Sequence, residues 1–294
     1  MAAASAVVLA ACGVSAGSGQ ATVAGGPAPA KVEAGSFQGR GAPQFLRRAA
    51  RSTAEVATQK ASIRVEADGS PITFALTAEG EFDNTRSRSH LTTAIEGAQG
   101  LGGGSDGTFS VELVIDGQTV YVKSTLLTKL AGQDKPWLKV DAEEWNKSGS
   151  SFGGGGQNDP GAFLKFLEGA GDEVTTVGRE DVRGVPTTHV RTTLDVAKVV
   201  AGASGAERRK LDDQLDGLGG TGEALRHIPA DAWLDDDGYV RKVTLSFGAP
   251  GTGGGPAVTA KVVVELYDFN EPVDVKVPDP ADVATLDPSL LGGD

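Results

Sequence analysis

Apolar and polar residues alternate with a period of two along much of the chain. The alternation is clearest where Ile72, Phe74, Leu76 and Ala78 are separated by single polar or small residues. Because successive side chains of a strand point to opposite faces, this pattern predicts a strand with one apolar face. Strands are also predicted at 63–65, 91–95, 109–115, 120–122, 136–140, 174–182, 185–194, 228–236, 239–247 and 258–266.

Short turn sequences stand between several of these strands. Asp68-Gly69, Asp116-Gly117, Arg183-Gly184 and Asp237-Gly238 each separate two segments that have strand character. Asp-Gly favours the positive φ angles of a tight two-residue hairpin loop. The succession of hairpins predicts a meandering antiparallel sheet.

Three segments have helical character instead. An amphipathic helix is predicted to begin after Pro43, and a second helix is predicted over 159–170, with Asp159 as its cap and Pro160 in its first turn. A polar helical stretch follows at 196–218. Glycine-rich loops are predicted at 100–107, 149–158 and 251–255.

Composition and charge narrow the class of protein. Among 294 residues, 39 are acidic and 27 basic, which gives a formal net charge of −12, and 39% are hydrophobic. This composition can bury a core but is too polar for a protein embedded in a membrane. An acidic chain repels phosphate backbones, so we expect no nucleic-acid partner.

The N-terminal residues contain the chain's one cysteine. Residues 1–11 are almost all small or apolar, and Leu9-Ala10-Ala11-Cys12 resembles the lipobox of bacterial lipoproteins, whose cysteine sulfur receives a diacylglyceryl group. The run is too short to span a bilayer. We therefore expect residues 1–12 to be a lipoprotein signal peptide and Cys12 to be a lipid anchor at the extracytoplasmic face of the cell membrane.

The flanks of this segment set the expected domain boundaries. No Lys or Arg precedes Lys31, whereas secretory signals open with a basic residue, so we expect the true translation start to lie upstream. The alternative to a lipid anchor is a free Cys12 thiol in a disordered N-terminus.

Residues 13–42, rich in Gly, Ala, Ser and Pro, are predicted to be a flexible tether, 43–285 a single domain, and 286–294 a disordered acidic tail.

Several segments of the second half resemble the LppX/LprA/LprF/LprG group of actinobacterial lipoproteins. They are hairpin signatures at 182–191 (VRGVPTTHVR), 228–235 (IPADAWLD), 237–241 (DGYVR) and 267–273 (YDFNEPV). The resemblance covers residues 43–285 and implies a LolA-like α+β fold. In this fold a single strongly curved antiparallel sheet forms a half-barrel, and a few helices cover its concave face.

The resemblance also implies a hydrophobic cavity between sheet and helices that holds the acyl chains of a lipid or lipoglycan. The candidate cavity-lining residues lie on two predicted strands and on the second predicted helix: Val111, Leu113, Ile115, Phe163, Leu167, Val243 and Leu245. For any one of them, a place in an ordinary packed core is the alternative.

Motifs for catalysis or metal binding are missing from the sequence. It contains no GxSxG, P-loop or HExxH motif, and His90, His189 and His227 lie far apart without a paired cysteine. We therefore expect no catalytic residue, no metal and no cofactor. His189 is expected to lie on a strand face.

One acidic segment resembles part of an EF-hand loop. When Gly238 of Asp235-Asp236-Asp237-Gly238 is placed at the obligatory glycine, Trp233 takes the first ligand position and Thr244 the last. Neither residue is suited to those positions. A hairpin turn with solvated carboxylates is the favoured interpretation.

Two functions are left open. The first is a lipid carrier or chaperone that binds an acyl lipid or lipoglycan, with a membrane transporter as a candidate partner. The second is an envelope scaffold or sensor of the same fold that binds a protein. A carrier needs an apolar cavity of several hundred Å³, roughly the range of small-molecule pockets, whereas a scaffold needs none. In either case we expect a monomer that is not an enzyme.

Overall fold

The structure is a computed structural model that describes residues 30–33, 36–37, 39–69, 72–97, 108–147, 160–195, 198, 205, 227–249 and 258–287. Within those ranges it contains twelve strands and four α-helices. Cys12, the three predicted glycine-rich loops and most of the predicted helical stretch at 196–218 lie outside the described residues.

Eleven of the twelve strands overlap segments that the sequence predicts to be strands, and only the three-residue strand at 283–285 was not predicted. In chain order they are β1 (Thr58–Gly69), β2 (Ile72–Asp83), β3 (Arg88–Glu96), β4 (Phe109–Asp116), β5 (Thr119–Lys123), β6 (Trp137–Asp141), β7 (Ala170–Val182), β8 (Val185–Asp195), β9 (His227–Asp235), β10 (Val240–Ala249), β11 (Val258–Tyr267) and β12 (Val283–Thr285).

All twelve strands join in one sheet, in the order β12-β6-β5-β4-β3-β2-β1-β11-β10-β9-β8-β7. Strands β12 and β7 form its two ends, so the sheet is open. The pairing of β1 with β11 joins the two halves of the meander. The prediction of a single open sheet with few helices is confirmed.

One pair of strands departs from the predicted antiparallel pattern. Strand β12 pairs with β6 in parallel, with Val283 opposite Trp137. The reason is connectivity: residues 271–279 carry the chain without helix or strand from β11 to the far end of the sheet. Parallel neighbours require such a long connection, whereas hairpins give antiparallel ones.

Positive φ angles mark three of the four predicted hairpin turns, whereas Asp68 and Gly69 of the fourth belong to β1 and pair with Thr73 and Ile72 of β2. Gly117, Gly184 and Gly238 have φ of 60°, 78° and 87°, and Arg183 has φ of 51°. In the EF-hand-like segment, the Tyr239 N–H donates to Asp235 Oδ1 at 2.9 Å. The positive φ angles confirm tight hairpins at these three turns. Of the carboxylates predicted to be solvated, Asp235 is instead buried, and its Oδ2 accepts a hydrogen bond from Arg241 Nε at 2.6 Å.

The helices are α1 (Ala42–Ala54), α2 (Thr125–Leu130), α3 (Ala142–Lys147) and α4 (Pro160–Phe166). Helix α1 confirms the predicted opening helix. The second predicted helix is shorter than expected: α4 ends at Phe166, a 3₁₀ turn follows at Leu167–Gly169, and Ala170 already pairs with Leu194 in the sheet. Helices α2 and α3 were not predicted, because six residues are too few to show a period of 3.6.

The residues next to the predicted domain boundaries pack against the sheet and helices. Phe37, in the predicted tether, is buried, and its ring centroid lies 5.0 Å from that of Phe45 in α1. Leu286, in the predicted tail, is buried, and its N–H donates to Lys139 O at 2.8 Å. Both are large apolar residues, whose burial offsets the entropy cost of ordering the chain.

Candidate functional site

The sheet has an inner face, which carries its buried apolar side chains and faces the helices. Because directly paired residues of antiparallel strands point the same way, rows of the inner face can be read from the register. One row crosses six strands and consists of Val111, Thr93, Ala78, Ile63, Val264 and Val243.

The structure places all seven candidate cavity-lining residues in one apolar core. Six of them are buried, and Ile115 is half-buried against the same core: Val111, Leu113 and Ile115 on β4, Val243 and Leu245 on β10, Phe163 on α4, and Leu167 in the 3₁₀ turn. Residues from three distant segments of the chain thus lie in the same core. Contact with a lipid stays a prediction for each of them.

The helices lie mainly over the two flanks of the sheet. Helix α1 packs against α4, β7 and β10, and α4 packs against β11. On the other flank, α3 packs against β5 and β6. Among the described residues, the closest approaches of these helices to the sheet are therefore to β5, β6, β7, β10 and β11, on either side of the central strands β1 to β4.

A row of half-buried aliphatic side chains occupies this central region. Val65, Leu76 and Ile95 are directly paired across β1, β2 and β3 on the inner face, and none of them is fully buried. Their neighbours at the two ends of the row, Val262 and Phe109, are buried. The sequence pattern placed these three residues on the apolar face, but it could not show which apolar positions the helices leave incompletely covered.

A groove of about 630 Å³ lies at the same end of the central strands. Glu66, Ala75, Glu96, Lys261 and Ser246 form a continuous cross-strand row in it. This row faces away from the inner face, whereas Ala67, Phe74 and Ala260, which also line the groove, belong to the inner face. None of the seven candidate residues lines this groove, so it is not the apolar cavity that was predicted from the sequence.

The outer face of the sheet, opposite to the inner face, carries a network of charged and aromatic side chains around His189. Its Nδ1 lies 2.9 Å from Glu180 Oε1, and its Nε2 lies 2.7 Å from Asp231 Oδ1. The imidazole stacks on the Trp233 ring at 4.2 Å between centroids. The predicted place of His189 on a strand face is confirmed, and its contacts tie β7, β8 and β9 together.

Glu180 is the acceptor at the centre of this network. The Trp233 Nε1–H donates to Glu180 Oε2 at 3.1 Å, in addition to the contact with His189. The hydrogen bond from Trp233, and after it the one with His189, holds the pKa of Glu180 below its ordinary value. The network extends to Lys242, whose Nζ lies 5.0 Å from the Trp233 ring centroid and 3.6 Å from Glu265 Oε1.

The described residues form neither a metal site nor a membrane-spanning helix. They contain no group of three or more His, Cys, Asp or Glu side chains that could hold a metal ion. None of the helices in the described ranges combines the length and apolarity needed to cross a membrane.

Comparisons with known proteins give one partial relative and several similar folds. No family model matches the chain. An uncharacterized 31.2 kDa protein of Streptomyces griseus is 30% identical over 146 residues, which cover 48% of this chain and 46% of that protein. The chain thus spans about half the length of the curated relative it matches.

Two solved lipoprotein structures are similar to the chain. The structure of LprF from Mycobacterium bovis has a TM-score of 0.46 and 16% identity, and covers 80% of this chain and 96% of its own. LppX from Mycobacterium tuberculosis has a TM-score of 0.42 and 14% identity, with coverages of 80% and 97%. The resemblance that the sequence indicated is confirmed, since this chain is similar to lipoproteins of the LppX and LprF type.

Proposed function

We propose that the protein is a lipid-anchored envelope protein that binds the acyl chains of a lipid or lipoglycan on the inner face of its sheet. The observation that carries the proposal is the row formed by Val65, Leu76 and Ile95. Three adjacent aliphatic side chains on the apolar face of a sheet stay half-buried, although the core extends to both sides of them. Partly exposed aliphatic side chains that lie together on an apolar face support a binding site for an apolar ligand or partner at this position.

In this proposal the acyl chains enter between the two helical flanks and lie along β1, β2 and β3. Burial of each methylene stabilises the complex by about 0.8 kcal/mol, so a long acyl chain gains enough to be held without a polar contact. Val111, Leu113, Ile115, Val243 and Leu245 continue the same face on the neighbouring strands. Phe163 and Leu167 approach it from the helical side.

Cys12 supplies the second part of the proposal. It lies outside the described residues, and its lipidation rests on the likeness of Leu9-Ala10-Ala11-Cys12 to a lipobox. Several acyl chains on this residue would hold the domain at the extracytoplasmic face of the cell membrane. Replacement of Cys12 by alanine is expected to release the protein from the membrane fraction, and an unchanged membrane fraction would count against the anchor.

The binding proposal is tested by two substitutions at neighbouring positions of β2. Leu76 and Thr77 are both half-buried but point to opposite faces. We expect Leu76→Glu to abolish the saturable binding of a fluorescent fatty-acyl probe, because it places a charge among the acyl chains. Thr77→Glu is expected to leave binding unchanged. Circular dichroism establishes that both variants are folded, and equal binding by both would refute the proposal.

A second candidate function is the binding of a protein partner through the free edge of β7. Within the described residues β7 forms one end of the sheet and pairs with β8 alone, and an edge strand of this kind can pair with a strand of another protein. Val177 on this strand is 48% exposed, and Leu130 on α2 is 62% exposed. A photo-crosslinker at position 177 that captures a protein in cells, while one at position 130 does not, would favour this function.

A further inference from the structure

The charge of the chain is unevenly distributed along its sequence. Residues 1–57, which precede β1, contain five basic and two acidic side chains, a net charge of +3. Residues 58–294 contain 22 basic and 37 acidic side chains, a net charge of −15. Helix α1 therefore belongs to the positively charged part of an acidic protein, and this part attracts an anionic partner.

Three arginines project from the side of α1 that faces away from the core. Arg48 and Arg51 are exposed, and Arg47 is half-buried and donates to Ala170 O at 3.0 Å. The Arg48 guanidinium lies 5.9 Å from the centroid of the Phe45 ring, and among the described residues no carboxylate forms an ion pair with it. The charge of Arg48 is therefore available to a partner outside the chain.

Helix α4 extends this positive surface, because it packs against α1 and its Lys165 is exposed. Two carboxylates lie in the same region: Glu168 Oε2 is 3.2 Å from Arg51 Nη2, and Glu55 follows the last residue of α1. Four cations against two carboxylates leave a net charge of +2 in this region. We refer to Arg47, Arg48, Arg51 and Lys165 as the basic surface.

The chain that comes from Cys12 joins the domain beside α1. The Val32 N–H donates to Asp236 O at 3.0 Å in the turn between β9 and β10, and the Val32 side chain packs against the core. The first residue of β10, Val240, donates its N–H to Thr53 of α1. The attachment point is therefore next to the C-terminal end of α1, and the Asp236 carboxylate there is paired with Arg179.

The length of the connection keeps this part of the domain close to the membrane. Seventeen residues separate Cys12 from Ala30, where the described part of the chain begins. A flexible linker of that length has an r.m.s. end-to-end distance of about 20–25 Å. Tethering at this distance gives a high effective concentration, so a weak attraction of about fivefold in partition per basic residue is enough for docking.

We propose that the basic surface of α1 and α4 docks on the anionic phospholipid headgroups of the membrane that holds the Cys12 anchor. This inference rests on the anchor in the proposed function and deepens it, since it states which face of the domain lies against the bilayer. Orientations that turn other faces to the bilayer bring the acidic remainder of the protein against anionic headgroups, which repel it.

The test makes use of the chain's one cysteine. The Cys12 thiol of the full chain is coupled to a maleimide lipid in vesicles, so that the tether is present whether or not cells acylate this residue. A benzoylphenylalanine photo-crosslinker stands at Gln44, which is exposed on α1, or at Asp134, which is exposed on the other flank of the sheet. The vesicles contain phosphatidylcholine alone or equal parts of phosphatidylcholine and phosphatidylglycerol, and intact-mass spectrometry measures the lipid adducts.

In phosphatidylglycerol vesicles, the adduct yield at position 44 is expected to exceed that at position 134 by about fivefold or more. The double variant Arg48→Glu/Lys165→Glu is expected to lower the yield at position 44 by about tenfold or more, because it reverses two charges of the basic surface. The matched control, Lys129→Glu/Lys139→Glu, changes the net charge equally at exposed lysines of the other flank and is expected to retain the adduct. High salt is expected to remove the difference between the two vesicle types.

Circular dichroism establishes that the variants are folded, and Arg48→Gln/Lys165→Gln removes the same two charges without adding carboxylates. Equal yields at positions 44 and 134, in the two vesicle types, or in the two charge-reversed variants would each overturn the proposal. Acyl binding by the inner face and lipidation of Cys12 are measured separately, by the fluorescent probe and by membrane fractionation, so a failure of docking is distinguishable from a failure of the proposed function.

Discussion

Gly80 occupies a position on the inner face of β2 that has no room for a side chain. A Cβ added there would lie 2.8 Å from His90 O and 2.9 Å from Leu91 Cγ. The carbonyl belongs to the neighbouring strand and cannot move without disturbing its pairing. We expect Gly80→Ala to lower the free energy of unfolding in urea by about 1–3 kcal/mol.

Gly178 on β7 is the matched control, because a Cβ there meets nothing within 4 Å and its φ is not in the left-handed region. Gly178→Ala is expected to leave stability unchanged or to raise it by about 0.4–1 kcal/mol, through reduced freedom of the unfolded chain. Equal losses at the two positions would contradict the close approach of β2 and β3 at Gly80.

Trp233 is expected to control the titration of Glu180. Trp233→Phe keeps a ring against His189 but removes the indole N–H, so the pKa of Glu180 should rise toward its ordinary value of about 4.3. An NMR titration of the glutamate carboxyl carbons measures this shift. Glu112, which lies on β4 away from Trp233, is the internal control.

The pH dependence of stability follows from the same shift. A carboxyl whose pKa is lower in the folded state stabilises the protein above its unfolded pKa of about 4.3. This contribution is lost as the pH falls through the folded pKa of Glu180. The acid limb of the stability curve should therefore be shallower in Trp233→Phe, and an unchanged Glu180 titration would contradict the hydrogen bond.

At the residue scale, the sequence identified the buried candidates more readily than the unusual ones. Leu113 and Leu245 could be assigned to the core because alternation defines the apolar face of a strand. The burial of Gln59 could not be predicted, because a polar residue near the first residue of a strand is ordinarily expected to be exposed. Its burial depends on residues of other elements that only the fold brings near it.

Helix α1 is fastened to the sheet by a hydrogen bond that the sequence did not reveal. Thr53, which is 0% exposed, accepts a hydrogen bond from the Val240 N–H at 3.0 Å and donates one to Ala49 O at 2.8 Å. We expect Thr53→Val to cost about 1–3 kcal/mol, because it leaves the N–H of Val240 buried and unpaired. Thr53→Ser retains the hydroxyl and should cost less.

Hydrogen exchange of the Val240 amide provides a local measurement for this pair of variants. The amide is expected to exchange faster in Thr53→Val than in Thr53→Ser, relative to amides in β4. If both variants protect the amide to the same degree, α1 is not held at β10 by this contact.

The elements that could be predicted are those with enough residues to show a period. The long strands β2, β4 and β8 and helix α1 follow from alternation or helical spacing. Helices α2 and α3 are too short to be recognised in this way, although Ser124 caps α2 through its side chain. The three-residue β12 depends on pairing with β6, which is remote in sequence.

For the whole molecule, the resemblance led to the correct class of fold, a single open sheet with few helices. The hairpins determine most neighbours in the sheet, because each pairs two consecutive strands. The joining of β1 to β11 and the parallel addition of β12 are long-range contacts that local patterns do not encode. The positions of the helices on the sheet are likewise long-range information that local patterns do not encode.

The central claim is that the inner face holds an acyl lipid. The most direct measurement is native mass spectrometry of the full chain with Cys12→Ala, purified without detergent from a lipid-rich bacterial host, so that a covalent acyl group cannot be mistaken for a bound one. We predict one noncovalent acyl lipid per protein, lost in Leu76→Glu and retained in Thr77→Glu. A protein that is lipid-free with Leu76 in place, or equally loaded in both variants, would contradict the account.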